Sequence, residues 1–322
     1  MTFNIKSQKI KSMKMKNYNI QLAYATDMNY IKPTLVSVMS ALEYTSKPVL
    51  LHLLGYKLSD FAFEKFALAC KKFPGTKLKY HQITNDMLTG EDQDIRLPPT
   101  TFSRLYLPEL IDINDGDKVL YIDSDTIVYG DLSPIFEINL NGSYIGAVRD
   151  IAVLKLRTSK SDENMFINEY KDIMNPFSVS DYFNAGVLLL DCKSIIDNQH
   201  LLNQMKDVKT ASKYYSLDQS HLNNLFKGNV TYLDPKYNCY WGNFRNFTKH
   251  KYYDRFKNES KSNIDKNPII VHFVGPLKPW NSPDISRLEK LVGKLLGKNF
   301  KPSKYHALLY KHLAKRYLNM LN

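Results

Sequence analysis

Lys118-Val119-Leu120-Tyr121-Ile122 is followed at once by Asp123-Ser124-Asp125, and these eight residues decide how the chain is read. KVLYI is a short, unalternating apolar run of the kind that forms a strand buried on both faces of a parallel sheet. Two carboxylates two positions apart at the end of such a strand can converge on one hard cation, whose remaining positions stay open for diphosphate oxygens. A D-x-D in a turn can equally be a helix cap or a solvated bend. The strand before it and Gly130-Asp131-Leu132-Ser133-Pro134 after it favour the metal reading.

Working back from this point, short apolar runs alternate with helical patterns. Residues 20–25, 49–54 and 77–83 read as strands, and residues 32–44, 59–72 and 101–110 as helices. That alternation implies an α/β nucleotide-binding domain, a sheet covered by helices. Neither common glycine-rich phosphate loop is present, so any diphosphate must be neutralised by another device, which the D-x-D turn would supply. Working forward, residues 155–180 are polar and suggest a lid or acceptor loop, while 186–191 and 269–273 are apolar runs expected to extend the sheet. Residues 217–226 read as a helix. The expected organisation is a basic extension at 1–18, one α/β domain at 19–282 and a basic amphipathic helical region at 283–322.

The net charge of +12 first suggests a nucleic-acid partner, but its placement argues otherwise. Five lysines lie in residues 1–26 and eight basic residues in 290–322, with no acid in either, which leaves 31 basic against 32 acidic residues between them. Basic ends on a neutral body suit an anionic membrane surface better than a nucleic acid. In residues 301–322, Tyr305, Leu308, Leu309, Leu313, Tyr317, Met320 and Leu321 recur at three- and four-residue steps, so this tail is expected to be a peripheral membrane anchor, with a terminal helix packed on the domain as the bland alternative. No run of 18 apolar residues occurs, so neither a spanning helix nor export is expected. Cys70, Cys192 and Cys239 are odd in number and widely spaced, which supports neither a zinc site nor a disulfide framework and suggests a reducing cytoplasm.

Three further segments carry chemistry. In His272-Phe273-Val274-Gly275-Pro276-Leu277-Lys278-Pro279-Trp280 the histidine leaving an apolar run can be a metal ligand or a core imidazole. Gly275 permits close backbone approach, and Lys278 offers a point charge to a phosphate. Arg104 and Tyr106 are the polar members of TFSRLYL, where a surface arginine is the bland alternative. Asn184 in YFNAGVLL and Asp218-Gln219 in LDQS can grip sugar hydroxyls or face a reacting carbon, or serve as turns and caps.

Five segments in order, LAYATDMNY, TTFSRLYL, DKVLYIDSDTIV, YFNAGVLLLD with LDQSHLNNLFKG, and HFVGPLKPW, give residues 19–281 a resemblance to glycosyltransferase family 8. This family of retaining enzymes includes bacterial lipooligosaccharide and lipopolysaccharide galactosyl- and glucosyltransferases. The resemblance implies a GT-A-like, Rossmann-related mixed sheet and transfer of a hexose from UDP-galactose or UDP-glucose to a glycan, glycolipid or glycoprotein acceptor. It also implies Mn²⁺, with Mg²⁺ as the alternative, held by Asp123, Asp125 and His272. Ala25, Thr26, Asp27 and Asn29 would hold the uridine and ribose. Arg104, Ser124, Gly275 and Lys278 would serve the diphosphate side, and Asp150, Asn184, Asp218 and Gln219 would line the hexose. Met28 stands where related galactosyltransferases often carry a second acid. A sugar-nucleotide nucleotidyltransferase and a non-catalytic membrane-associated protein are the rival readings. The implied location is cytoplasmic, peripheral on the inner face of the membrane.

Overall fold

The structure, a computed structural model, describes residues 20–88, 99–153, 165–241, 268–281 and 302–321. The expected extension at 1–18, residues 155–164 of the polar stretch and residues 283–301 of the tail region lie outside the described residues. β1 (Ile20–Thr26), α1 (Ile31–Tyr44), β2 (Val49–Tyr56), α2 (Asp60–Lys72) and β3 (Thr76–Ile83) alternate as the apolar runs require. β4 (Lys118–Ile122), β5 (Thr126–Val128) and β6 (Ile145–Arg149) follow. Then come α3 (Met165–Met174), β7 (Phe183–Asp191), α4 (Leu217–Phe226), β8 (Val230–Tyr232), β9 (Cys239–Tyr240), β10 (Ile270–His272) and α5 (Pro302–Asn319).

Among the described residues, seven strands form one mixed sheet in the order β3-β2-β1-β4-β7-β6-β8. The helical crossovers α1 and α2 return the chain in the same direction, so β1, β2 and β3 pair in parallel, and β4 joins β1 in parallel. β7 runs antiparallel to both β4 and β6. Every residue of β1 is buried, and so is every residue of β2 except its last, as unalternating runs in a sheet covered on both faces should be. Ser59 caps α2, accepting from the Ala62 N–H, which explains its sharp start.

Four expectations need correction. The run ending in His272 does not extend the main sheet. It forms β10 of a separate three-stranded sheet, β5-β10-β9, because the Asp123-Ser124-Asp125 turn carries the chain from β4 out of the main sheet into β5. Residues 101–110 are not a regular α-helix but a 3₁₀ stretch, Pro99–Tyr106, followed by the single turn Leu107–Leu110. The polar stretch contains α3, whose Ile167, Tyr170, Ile173 and Met174 recur at helical spacing and pack with Val179 and Tyr182 into a satellite core. The apolar face of the tail does not point outward: Tyr310, Leu313, Tyr317 and Leu321 join the main core, where α5 packs against α1. The Lys65 ammonium bonds the Leu321 carbonyl, and Arg316 and Tyr317 both bond Glu43 of α1. No described helix is long and apolar enough to cross a membrane.

Candidate active site

The D-x-D turn is the joint between the two sheets. The Asp123 N–H donates to the Gly186 carbonyl of β7 at 2.7 Å, and the Phe273 N–H donates to the Asp125 carbonyl at 2.9 Å. Register places His272 opposite Thr126, next to Asp125. His272 Nε2 therefore lies 3.1 Å from Asp125 Oδ1 and 3.8 Å from Asp123 Oδ2, and ligand atoms of all three residues fall within 4.8 Å of one another. Two carboxylate oxygens and an imidazole nitrogen are a donor set suited to a divalent cation such as Mn²⁺, Mg²⁺ or Zn²⁺. Burial of Asp125 disfavours its charge, but His272 when protonated, and then Lys278, outweigh that and hold its carboxyl below the usual range. The Lys278 ammonium lies 2.5 Å from Asp125 Oδ2 and donates to the Phe273 carbonyl at 2.8 Å.

Arg104 stands on the other side of Asp123, buried rather than on the surface. Its Nη1 is 3.2 Å from Asp123 Oδ1 and donates to the Ala185 carbonyl at 2.5 Å, while Nε pairs with Asp218 Oδ2 at 2.7 Å. Burial opposes the guanidinium charge, yet Asp123 and Asp218 overcome it, so Arg104 stays charged. Asp218 is pushed up to about 6 by burial, against the opposing pull of Arg104. Its Oδ2 has no aligned hydrogen bond, so the compensation there is coulombic. Tyr121 donates to Asp123 Oδ1 at 2.9 Å and lies under the guanidinium, 4.7 Å from ring centroid to Cζ.

Behind the candidate metal trio, buried Asp150 and Asn184 join half-buried Gln219 in one hydrogen-bonded cluster. Asp150 Oδ2 accepts from Gln219 Nε2 at 3.1 Å, and Asn184 Nδ2 donates to Gln219 Oε1 at 2.8 Å. Asp150 Oδ1 accepts from the Ala152 N–H at 2.7 Å. A cleft opens in front of the turn, lined among others by Ala25, Thr26, Tyr30, Thr101, Arg104 and Asp123.

Residues 21–284 match the family described as Glycosyl transferase family 8. This chain belongs to that family. GlyF, a glycosyltransferase of Streptococcus pneumoniae, is 28% identical over 84% of this chain and 59% of its own length. A lipopolysaccharide 1,2-glucosyltransferase of Escherichia coli is 24% identical over 86% of this chain and 79% of its own. The chain thus spans about three fifths of GlyF and a larger share of the E. coli protein. The galactosyltransferase LgtC, solved with donor and acceptor sugar analogues, superposes with a TM-score of 0.69 at 24% identity over 92% of this chain and 96% of that one, a likeness of fold.

The remaining residues expected of a family 8 chain fall into place unevenly. Ala25 and Thr26 end β1 and line the cleft, while Asp27 Oδ1 caps the turn by accepting from the N–H groups of Asn29 and Tyr30 at 2.8 and 3.1 Å. Asn29 is exposed. Ser124 is committed inward: its hydroxyl donates to the Ala25 carbonyl at 2.7 Å and accepts from Thr34 at 2.9 Å, which ties the turn to β1. Gly275 has a φ of 97° and open space where a side chain would stand. Trp280 is a packed aromatic between Tyr30 and Tyr310.

Sequence reading missed two residues. Asn238 is fully buried, and its Oδ1 lies 2.9 Å from His272 Nδ1. Gly186 leaves the space that His272 fills, since a Cβ there would stand 2.2 Å from His272 Cε1. A glycine inside a strand run was a usable signal of close approach; nothing local marks Asn238.

Proposed function

We propose that this chain transfers a hexose from a UDP-sugar to a glycan, glycolipid or glycoprotein acceptor with retention of anomeric configuration. The observation that carries this reading is the D-x-D turn at the carboxyl end of a parallel strand, brought to His272 across the joint of two sheets. Ligands of open α/β sheets bind at that edge. Bound by Asp123, Asp125 and His272, a divalent cation, Mn²⁺ first and Mg²⁺ as the alternative, supplies Lewis-acid stabilisation of a departing diphosphate.

Lys278, held beside Asp125, adds a second positive charge on the diphosphate side, and Gly275 lets the backbone approach it closely. Arg104 faces the same edge through Asp123. The end of β1 and its turn, Ala25, Thr26, Asp27 and Asn29, take the uridine and ribose, with Ser124 holding that turn in place. Asp150, Asn184, Asp218 and Gln219 border the hexose. Asp218 is paired with Arg104 and both oxygens of Asp150 accept hydrogen bonds, which lowers the nucleophilicity of each carboxylate. That favours front-face attack, in which the leaving phosphate takes the acceptor hydroxyl's proton. Relatives named for lipopolysaccharide sugars support a bacterial cell-surface acceptor. An inner membrane face, met through the basic tail, is the corresponding location.

Incubation with UDP-galactose or UDP-glucose and Mn²⁺, read by UDP release, tests the reading. Asp125→Asn and His272→Ala are each expected to lower release by about 100-fold or more with unchanged melting curves, because each removes a ligand atom. Unchanged release in either folded variant at saturating metal assigns that residue to structure. A requirement for pyrophosphate, with UTP as product, identifies a nucleotidyltransferase instead.

A further inference from the structure

Two backbone amides decide the orientation of every side-chain amide behind His272. The Gly186 N–H lies 3.0 Å from Asn184 Oδ1 and the Ala185 N–H lies 3.1 Å from Gln219 Oε1. A backbone N–H only donates, so both facing atoms are oxygens. Asn184 Nδ2 then donates to Gln219 Oε1 at 2.8 Å, and Gln219 Nε2 donates to Asp150 Oδ2 at 3.1 Å. At the other end, the Asn238 atom 2.8 Å from Asn184 Oδ1 must be its nitrogen, which turns Asn238 Oδ1 toward His272 Nδ1 at 2.9 Å. An amide oxygen can only accept, so Nδ1 carries the hydrogen and, in the neutral ring, Nε2 presents its lone pair toward Asp123 and Asp125.

We propose that Asn238 is the positioning residue of His272, the terminal amide of a one-way hydrogen-bond relay anchored on the Asp150 carboxylate. The proposal rests on the metal reading of Asp123, Asp125 and His272. All four hydrogen bonds point the same way, from imidazole N–H through three amides to a carboxylate, so each polarises the next. A carboxylate hydrogen-bonded directly to a ligating histidine fixes its tautomer and raises its basicity. Here the carboxylate acts from a distance, and Asn238 makes the relay's hydrogen bond to the ring. Asn238, Asn184 and Asp150 are buried and Gln219 is half-buried, so the end of the relay next to His272 is the part shielded from water.

The test uses the full chain without nucleotide. Calorimetric titration with Mn²⁺ alone is expected to show Asn238→Leu binding about 10- to 100-fold more weakly than the wild type. ¹⁵N NMR of the metal-free wild type at alkaline pH is expected to show His272 as the Nδ1–H tautomer. Asn238→Asp keeps an oxygen on Nδ1 and is expected to preserve that tautomer. A folded Asn238→Leu that binds Mn²⁺ like the wild type overturns the relay. So does an Nε2–H tautomer in the wild type, whether or not the variants fold. A wild type that binds no Mn²⁺ overturns the metal site itself.

Discussion

At Gly186 an added Cβ would stand 2.2 Å from Cε1 of the buried His272 and 2.8 Å from Oδ2 of the half-buried Asp123, distances that neither partner can absorb without moving. The close approach of β7 to the metal trio thus depends on a missing side chain. Gly186→Ala is expected to cost about 1–3 kcal/mol of stability by overpacking. It should also weaken Mn²⁺ binding, because the displaced groups are two of the three proposed donors. Denaturant unfolding and a metal titration check both; a stable variant with wild-type Mn²⁺ affinity would show that His272 has room the distances deny. Arg104 illustrates the same dependence on neighbours. Buried alone it would be strongly destabilising, and it is tolerated because Asp123 and Asp218 flank it on two sides.

Among the elements, α5 completes the core over α1. Tyr317 is fully buried there, and Tyr317→Ala is expected to destabilise the fold by about 3 kcal/mol, measured by urea denaturation, through lost packing and the lost bond to Glu43. A loss below about 0.5 kcal/mol, the level of a surface substitution, would mean that α5 is only loosely docked. Strands β1, β2 and β3 hold a second telling group. His52 Nε2 contacts Gln21 Oε1 at 3.0 Å, and His52 Nδ1 contacts His81 Nε2 at 2.9 Å. Burial, then His81 and Lys79, pushes His52 down to about 3. The folded state keeps this ring neutral while the unfolded chain takes up a proton near the ordinary histidine value of about 6.5. Stability from His52 is therefore complete above about pH 6.5 and is lost as the pH falls toward 3. Calorimetric melting between pH 7 and 4.5 should show a falling melting temperature, with a shallower slope in His52→Asn. An identical slope would place the acid sensitivity elsewhere.

For the whole molecule, the net charge of +12 remains available to an anionic surface, but the apolar face of α5 does not, since the domain occupies it. Any attachment to anionic vesicles is then expected to be electrostatic. It should be present at low salt and lost by about 1 M salt, where the Debye length falls to about 3 Å. Co-sedimentation that survives high salt would point to apolar insertion. The sequence by itself determined the alternating α/β plan, the buried strand β4 with its strand-end carboxylates and, through five ordered segments, the family. Those features are local, since an unalternating apolar run or a D-x-D turn is complete within a few neighbours. Only the tertiary structure decided that β10 leaves the main sheet, that Arg104 is buried and that the tail's apolar face packs inward. Periodicity shows that a face needs a partner but does not say which surface supplies it. The same holds for the amides behind His272. The hydrogen bonds joining Asp150, Gln219, Asn184, Asn238 and His272 span 34 to 69 positions of sequence, and their donors and acceptors are defined only once the fold brings them within 3.1 Å.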